Sequence, residues 1–295
     1  MERIINKYTS GDAGPLVFIT AAVHGNEPSG VQALEEVFTQ LQTAKPKIKG
    51  TLVGLRGNLN ALANDRRFID EDLNRTWTKE KIEKTFHETR EETEMMEIIE
   101  ILDKELENHN GKEAYFLDCH TTSSQSVPYI SVQVKGDNDP WAHKFPTYIV
   151  RGFSDMVNGS IDHYFTDRGL TGFTFEAGQH DHPDSKRHHE SMIWLILKNA
   201  CDLDLTEIAT YPDCIESLEN DPPNQKTFEI IHRHEIQSDD DFKMIPGFEN
   251  FQKISKGELL AHNNGEDVKS IWDARIFMPL YQGQGNDGFF VIEEQ

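Results

Sequence analysis

The sequence is poor in cysteine and in positive charge, and it lacks any long apolar run. Its 295 residues include three cysteines, Cys119, Cys201 and Cys214, with no CxxC pair among them. That argues against a disulfide framework or a thiolate zinc cage and makes a reducing, cytoplasmic setting the expectation. Lysine and arginine number 29 against 51 acidic residues, a net charge of -22. Phosphates and anionic lipids attract the opposite sign, so neither nucleic acid nor a membrane is an expected partner. No apolar run approaches the roughly 20 residues of a membrane span. The opening stretch, MERIINKYTSGDAG, has no signal-type apolar core and is expected to enter the fold directly.

Hydrophobic residues make up 37% of the chain, enough for a substantial core. PLVFITAAV (15–23) reads as a buried strand and PSGVQALEEVFTQLQ (28–42) as a helix with proline in its first turn. Strands are expected at 49–57, 113–120, 128–134, 147–150 and 171–178. One or two helices are expected over 78–108, where Met95, Ile98, Ile99 and Leu102 recur at helical spacing, and another over 185–200. Alternating strands and helices predict an α/β fold, a mixed but mainly parallel sheet with helices on both faces. Past residue 202 the texture changes. A polar, proline-bearing connector (203–226) leads to short strands without a convincing helix. The expected division is an α/β domain over 1–222 and a small all-β domain over 223–295 that caps or narrows the site. A homodimer is left open.

AAVHGNEPSG (21–30) places His24 and Glu27 three apart, directly after an apolar strand. This is either a helix start with a favourable carboxylate or half of a metal site, since catalytic zinc takes three ligands from His and carboxylate. YFLDCHTTSS (115–124) ends a strand on Asp118, Cys119 and His120. Side chains two apart share a face, so Asp118 could orient His120 as a third ligand while Cys119 points into core. NDRRFIDEDLNRTW (64–77) crowds Arg66, Arg67 and Arg75 beside Asn74. The stretch is either a solvated loop or a carboxylate clamp. Glu176 interrupts the apolar strand of FTFEAG, which is costly unless it is paired or functional. His24, His120 and Glu176 all fall near strand carboxyl ends, where such sheets bind ligands.

Four motifs stand in order: H-G-N-E, R-x-I-D-x-D-L-N-R, D-x-H-x-T and F-E-x-G. Together they resemble the succinylglutamate desuccinylase/aspartoacylase family, a branch of the zinc carboxypeptidase-like fold, over about residues 16–180. The resemblance implies one Zn2+ per chain held by His24, Glu27 and His120. It implies Arg67 as the group polarising the scissile carbonyl and Glu176 as general base, then acid. Asn74 and Arg75 would hold a substrate carboxylate; Arg66 has no counterpart in the motif and is read as support. The implied reaction is zinc-dependent hydrolysis of the amide of a small anionic N-acyl amino acid. Aspartoacylase members carry a further carboxylate-binding Arg before the catalytic Glu, and Arg168 is the candidate here. They also use a tyrosine from the C-terminal region. Tyr281 lies nearby, whereas GNDGFF offers phenylalanine.

A metallocarboxypeptidase and a zinc-bearing binding protein without catalysis are the competing readings. HDHPDSKRHHE (180–190), with His180, His182, His188 and His189, reads as a mobile loop rimming the pocket. HRH at 232–234 reads as a solvated strand face. Residues 257–276 resemble the hairpin of biotinyl-type domains, but Lys269 is not at the acceptor turn, so no attached cofactor is expected.

Overall fold

The structure, a computed structural model, describes residues 1–109, 113–210, 215–218 and 224–295. Cys214 and the expected boundary at 222/223 lie outside the described residues. The chain opens with β1 (Ile4–Tyr8), β2 (Asp12–Ala21), α1 (Ser29–Ala44) and β3 (Lys49–Arg56). Two short helices, α2 (Leu59–Ala63) and α3 (Lys79–Ile82), precede α4 (Arg90–Asn108). Next come β4 (Ala114–Thr122), β5 (Tyr129–Ser131), α5 (Asn138–Ala142), β6 (Tyr148–Arg151), α6 (Phe153–Met156), α7 (Ile161–Asp167), β7 (Thr171–Gln179) and α8 (Ser185–Cys201). From Thr227 onward the described elements are all strands: β8 (Thr227–Glu235), β9 (Phe242–Met244), β10 (Lys253–Ile254), β11 (Leu259–Asn263), β12 (Glu266–Lys269), β13 (Ala274–Phe277) and β14 (Asp287–Glu294).

One sheet of eleven strands runs in the order β1-β3-β2-β4-β7-β5-β6-β8-β14-β13-β10. Its centre is parallel, with β2 between β3 and β4, and β4 against β7. Every residue of β2 from Pro15 to Ala21 is buried, as a strand covered on both faces must be. Alternation decides which face each side chain meets. Val17, Ile19, Leu117, Cys119, Phe173 and Phe175 pack with α1 and α8. Leu16, Phe18 and Phe116 pack with α4 and α7 on the opposite face. Cys119 is therefore core, and helices do cover both faces.

The C-terminal strands differ from the expected arrangement in one respect. β8 hydrogen-bonds in parallel to β6, and β14 then pairs antiparallel with β8. The main sheet thus runs on through β8, β14, β13 and β10, while β12, β11 and β9 form a separate three-stranded sheet. β1 was not anticipated, because IINKY is only partly buried and carries little alternation. It sits at the sheet edge, antiparallel to β3.

Candidate metal centre and substrate pocket

His24 and Glu27 belong to the turn that leaves β2 for α1. Gly25 in that turn is required by space: a Cβ there would lie 2.1 Å from the carbonyl carbon of Ala61 in α2. The packed turn brings Glu27 between two imidazoles. His24 Nδ1 lies 3.0 Å from Glu27 Oε1, and His120 Nδ1 lies 3.2 Å from Glu27 Oε2. The Thr121 backbone N–H also donates to Glu27 Oε2 at 2.8 Å. The two rings meet edge to face at 4.9 Å.

Each imidazole turns its other nitrogen to a carboxylate. His24 Nε2 is 3.0 Å from Asp72 Oδ1, and His120 Nε2 is 2.7 Å from Asp118 Oδ2. The Thr20 hydroxyl donates to Asp118 Oδ1 at 2.6 Å and fixes it in turn. Outer carboxylates of this kind hold metal-ligating histidines in one tautomer and orientation. One donor atom from each of His24, Glu27 and His120 lies within 4.8 Å of the others, and all three residues are buried. Two imidazoles and one carboxylate are a donor set suited to catalytic zinc. The residues present fit a divalent ion.

Burial alone would raise the Glu27 carboxyl, but His24 and His120 hold it well below its usual range. Burial would raise Asp72 as well, yet Arg67 and then His24 keep it well below. Burial works against a charged His120, and the Asp118 and Glu27 carboxylates overcome it and push the ring well above its usual value. Glu176 behaves in the opposite way. Burial pushes it up to about 8; His120 and Arg67 oppose that rise, and Glu27 and Asp118 add to it. Glu176 lies opposite His120 in the β4–β7 register. Its Oε2 is buried without a hydrogen-bond partner, as is the hydroxyl of Tyr129, which lies opposite Glu176 on β5.

Arg67, Asn74 and Arg75 line the same pocket as His24, Glu27, His120 and Glu176. Arg67 Nη2 donates to Asp72 Oδ2 at 2.9 Å, and its Nη1 lies 3.7 Å from Glu27. Buried Glu91, in the first turn of α4, pins this loop by accepting the backbone N–H groups of Ile69, Asp70 and Glu71 at 2.7, 3.1 and 3.3 Å. Arg75 Nη2 donates to Asp287 Oδ2 at 2.7 Å, and Arg233 Nε donates to Asp287 Oδ1 at 2.6 Å. One wall of the pocket comes from the segment before β14. Asn26 Nδ2 donates to Gln282 Oε1 at 3.1 Å, and Gln284 Nε2 donates to the Phe68 carbonyl at 3.3 Å.

Two predicted residues lie elsewhere. Arg168 caps the C-terminal end of α7, where it meets Asp103 at 2.5 Å and the Tyr164 hydroxyl at 2.6 Å, outside the pocket. Arg66 is exposed and outside it too. The Tyr281 hydroxyl donates to the Ile245 carbonyl at 2.8 Å, and Phe290 lines the pocket instead. The stretch 180–190 is not a loop throughout, because α8 starts at Ser185. His188 and His189 are buried in it, with His188 Nδ1 2.9 Å from the Ala177 carbonyl oxygen. Nor are His232 and His234 a solvated face. His234 stacks on Phe289 at 4.9 Å, and His232 lies 4.7 Å from the Trp272 ring. Sequence reasoning missed the roles of Asp72, Asp287 and Tyr129. Only Asp72 had a local signal: it stands two positions before Asn74, whose N–H it accepts at 2.8 Å.

The sequence pattern describing the succinylglutamate desuccinylase/aspartoacylase catalytic domain matches residues 13–187. The chain belongs to that family. Among the family's members, the succinylglutamate desuccinylase of Pseudoalteromonas atlantica is 22% identical over 286 residues, covering 87% of this chain and 74% of that one. The fold agrees with solved members. A succinylglutamate desuccinylase/aspartoacylase from Rhodobacter sphaeroides superposes with a TM-score of 0.70 at 16% identity, covering 96% of this chain and 87% of that one. Murine aminoacylase 3 does so with a TM-score of 0.60 at 16% identity, covering 97% of each chain. The family assignment puts His24, Glu27, His120 and Glu176 inside the matched region.

Proposed function

We propose that this protein is a zinc-dependent hydrolase that cleaves the amide bond of a small N-acyl amino acid, held by its carboxylate, into a carboxylate and a free amino acid. The observation that carries the reading is Glu176. It is a buried carboxyl held up to about 8, with one oxygen free, on the strand beside the His24–Glu27–His120 cluster. A carboxyl so poised can take a proton and give it back near neutral pH. His24, Glu27 and His120 would hold the zinc, which when bound supplies Lewis acidity and lowers the pKa of water. Glu176 accepts the proton of the attacking water and passes it to the leaving amine. The Arg67 guanidinium faces the negative charge that develops on the carbonyl oxygen. Asn74 and Arg75 orient the substrate carboxylate. The Gln282–Asn26 and Gln284–Phe68 bonds narrow the mouth, which favours a small substrate over a peptide groove. Free, buried Cys119 and Cys201 support a reducing, cytoplasmic setting.

The test is amine release from a panel of N-acetyl and N-succinyl amino acids, with and without a chelator. Release that disappears on chelation and returns with zinc is expected. Turnover that withstands complete chelation would refute the metal role.

A further inference from the structure

The pocket has a second end, away from the histidines, with an uneven charge arrangement. β5 runs antiparallel to β7, so Ser131 lies opposite Thr174 just as Tyr129 lies opposite Glu176. Two positions back from Glu176 the lining is therefore Thr174 and Ser131, both small and polar. α7 contributes Asp162 to the same lining. Gln133 Nε2 donates to Asp162 Oδ2 at 2.8 Å and fixes the carboxylate.

α7 itself is held against the clamp loop. Asn74 Oδ1 accepts the Ile161 N–H at 2.9 Å, and a Cβ on Gly159 would lie 2.6 Å from the Arg75 carbonyl oxygen. Asp162 thus has a set position beside Asn74 and Arg75.

Both guanidiniums of the pocket already face carboxylates, Arg67 that of Asp72 and Arg75 that of Asp287. Among the described residues Asp162 has no ion pair with a cation, and the one arginine at the end of α7, Arg168, points to Asp103. An acidic residue in the first turn of a helix gains from the helix dipole, but that gain would be met equally well facing solvent. Here Asp162 is among the residues that line the pocket. A fixed, unpaired negative charge favours a cationic partner and repels a second carboxylate.

The geometry points to Asp162 as a specificity-determining residue that selects N-acyl amino acids bearing a side-chain ammonium over those bearing a second carboxylate. This rests on the hydrolase reading above, and it names the substrate class for that site.

The experiment compares the zinc-supplemented full chain, wild type and Asp162→Asn, on three sets of substrates. These are Nα-acetyl-ornithine and Nα-acetyl-lysine, the neutral Nα-acetyl-glutamine, and the dicarboxylates N-acetyl-aspartate and N-succinyl-glutamate, with products separated by chromatography. The wild type is expected to favour the cationic set over the neutral one by at least about tenfold in kcat/KM, the size expected of a hydrogen bond to a charged group. Asp162→Asn should bring that ratio close to one, and Asp162→Glu should keep part of it. Greater use of dicarboxylates by the wild type, or a ratio that Asp162→Asn leaves untouched, overturns the assignment. Calorimetric binding of free ornithine and aspartate separates the two ways to fail. Asp162-dependent preference for ornithine without hydrolysis of any substrate would sink the hydrolase reading and uphold the charge selection. No preference in binding or turnover would sink the selection.

Discussion

The two ends of the pocket are built in different ways. At the histidine end most groups are held by a neighbour close in sequence or on the adjacent strand: Glu27 by His24 and Thr121, His120 by Asp118, Asp118 by Thr20; His24 alone reaches further, to Asp72. At the other end the partners come from far along the chain, Arg75 and Arg233 both with Asp287, and Asn74 with Ile161. The first end is fixed by a parallel sheet whose strand order can vary little without losing the core. The second depends on how a loop, a short helix and the last strands meet. In the proposed reading, chemistry belongs to the end built on the sheet, and substrate choice to the assembled one.

The most severe way to break the histidine end is Glu176→Gln. Turnover should fall by roughly 10²–10⁴, the usual worth of a general base, while zinc content by metal analysis stays at that of the wild type; near-normal turnover would remove Glu176 from its role. Asp118→Asn keeps the shape but weakens the hold on His120. Metal affinity, read by competition with a chelator, should drop about 10–100-fold. At the other end Asp287→Asn should act on KM more than on kcat, lowering KM for anionic substrates several-fold because Arg75 and Arg233 lose their shared counter-charge. An effect confined to kcat would contradict the division between the ends. Glu91 serves both, since it fixes the loop that carries Arg67 and Arg75. Glu91→Gln leaves backbone donors short of an acceptor and should cost about 1–3 kcal/mol of stability, measured by denaturant unfolding.

A further effect lies behind the site. Burial, with His188 and His120 nearby, pushes His189 down to about 3. An unfolded histidine takes up its proton near 6.5, so between about 6.5 and 3 the unfolded chain binds one proton more. Stability from this group is complete above 6.5 and declines as pH falls. His189→Gln should flatten that acid decline by about one proton's worth of slope in urea midpoints taken from pH 7 to 4.5.

The same contrast explains what the sequence made legible. His24, Glu27, His120 and Glu176 sit at the ends of apolar strands, and a polar residue there is conspicuous because the alternation around it is strict. Asp118 and Cys119 could be assigned to opposite faces by parity alone. Asp287 could not be found, because GNDGFF reads as a turn and its meaning comes from Arg75, far away in the sequence. Arg168 looked suitable by its spacing from Glu176, but α7 ends there and turns it towards α4. The continuity of β8 with β6 was invisible for a similar reason. Strand composition reports burial, and it does not say which edge a strand will join.

The wedged turn at Gly25 has a consequence at the level of the gene. Every single-nucleotide change that alters a glycine codon to another amino acid adds at least a Cβ. At position 25 that atom would meet backbone 2.1 Å away, and backbone cannot swing aside as a side chain can. The residue therefore has no acceptable one-step neighbour in codon space, and a saturating mutagenesis screen for function should return it blank.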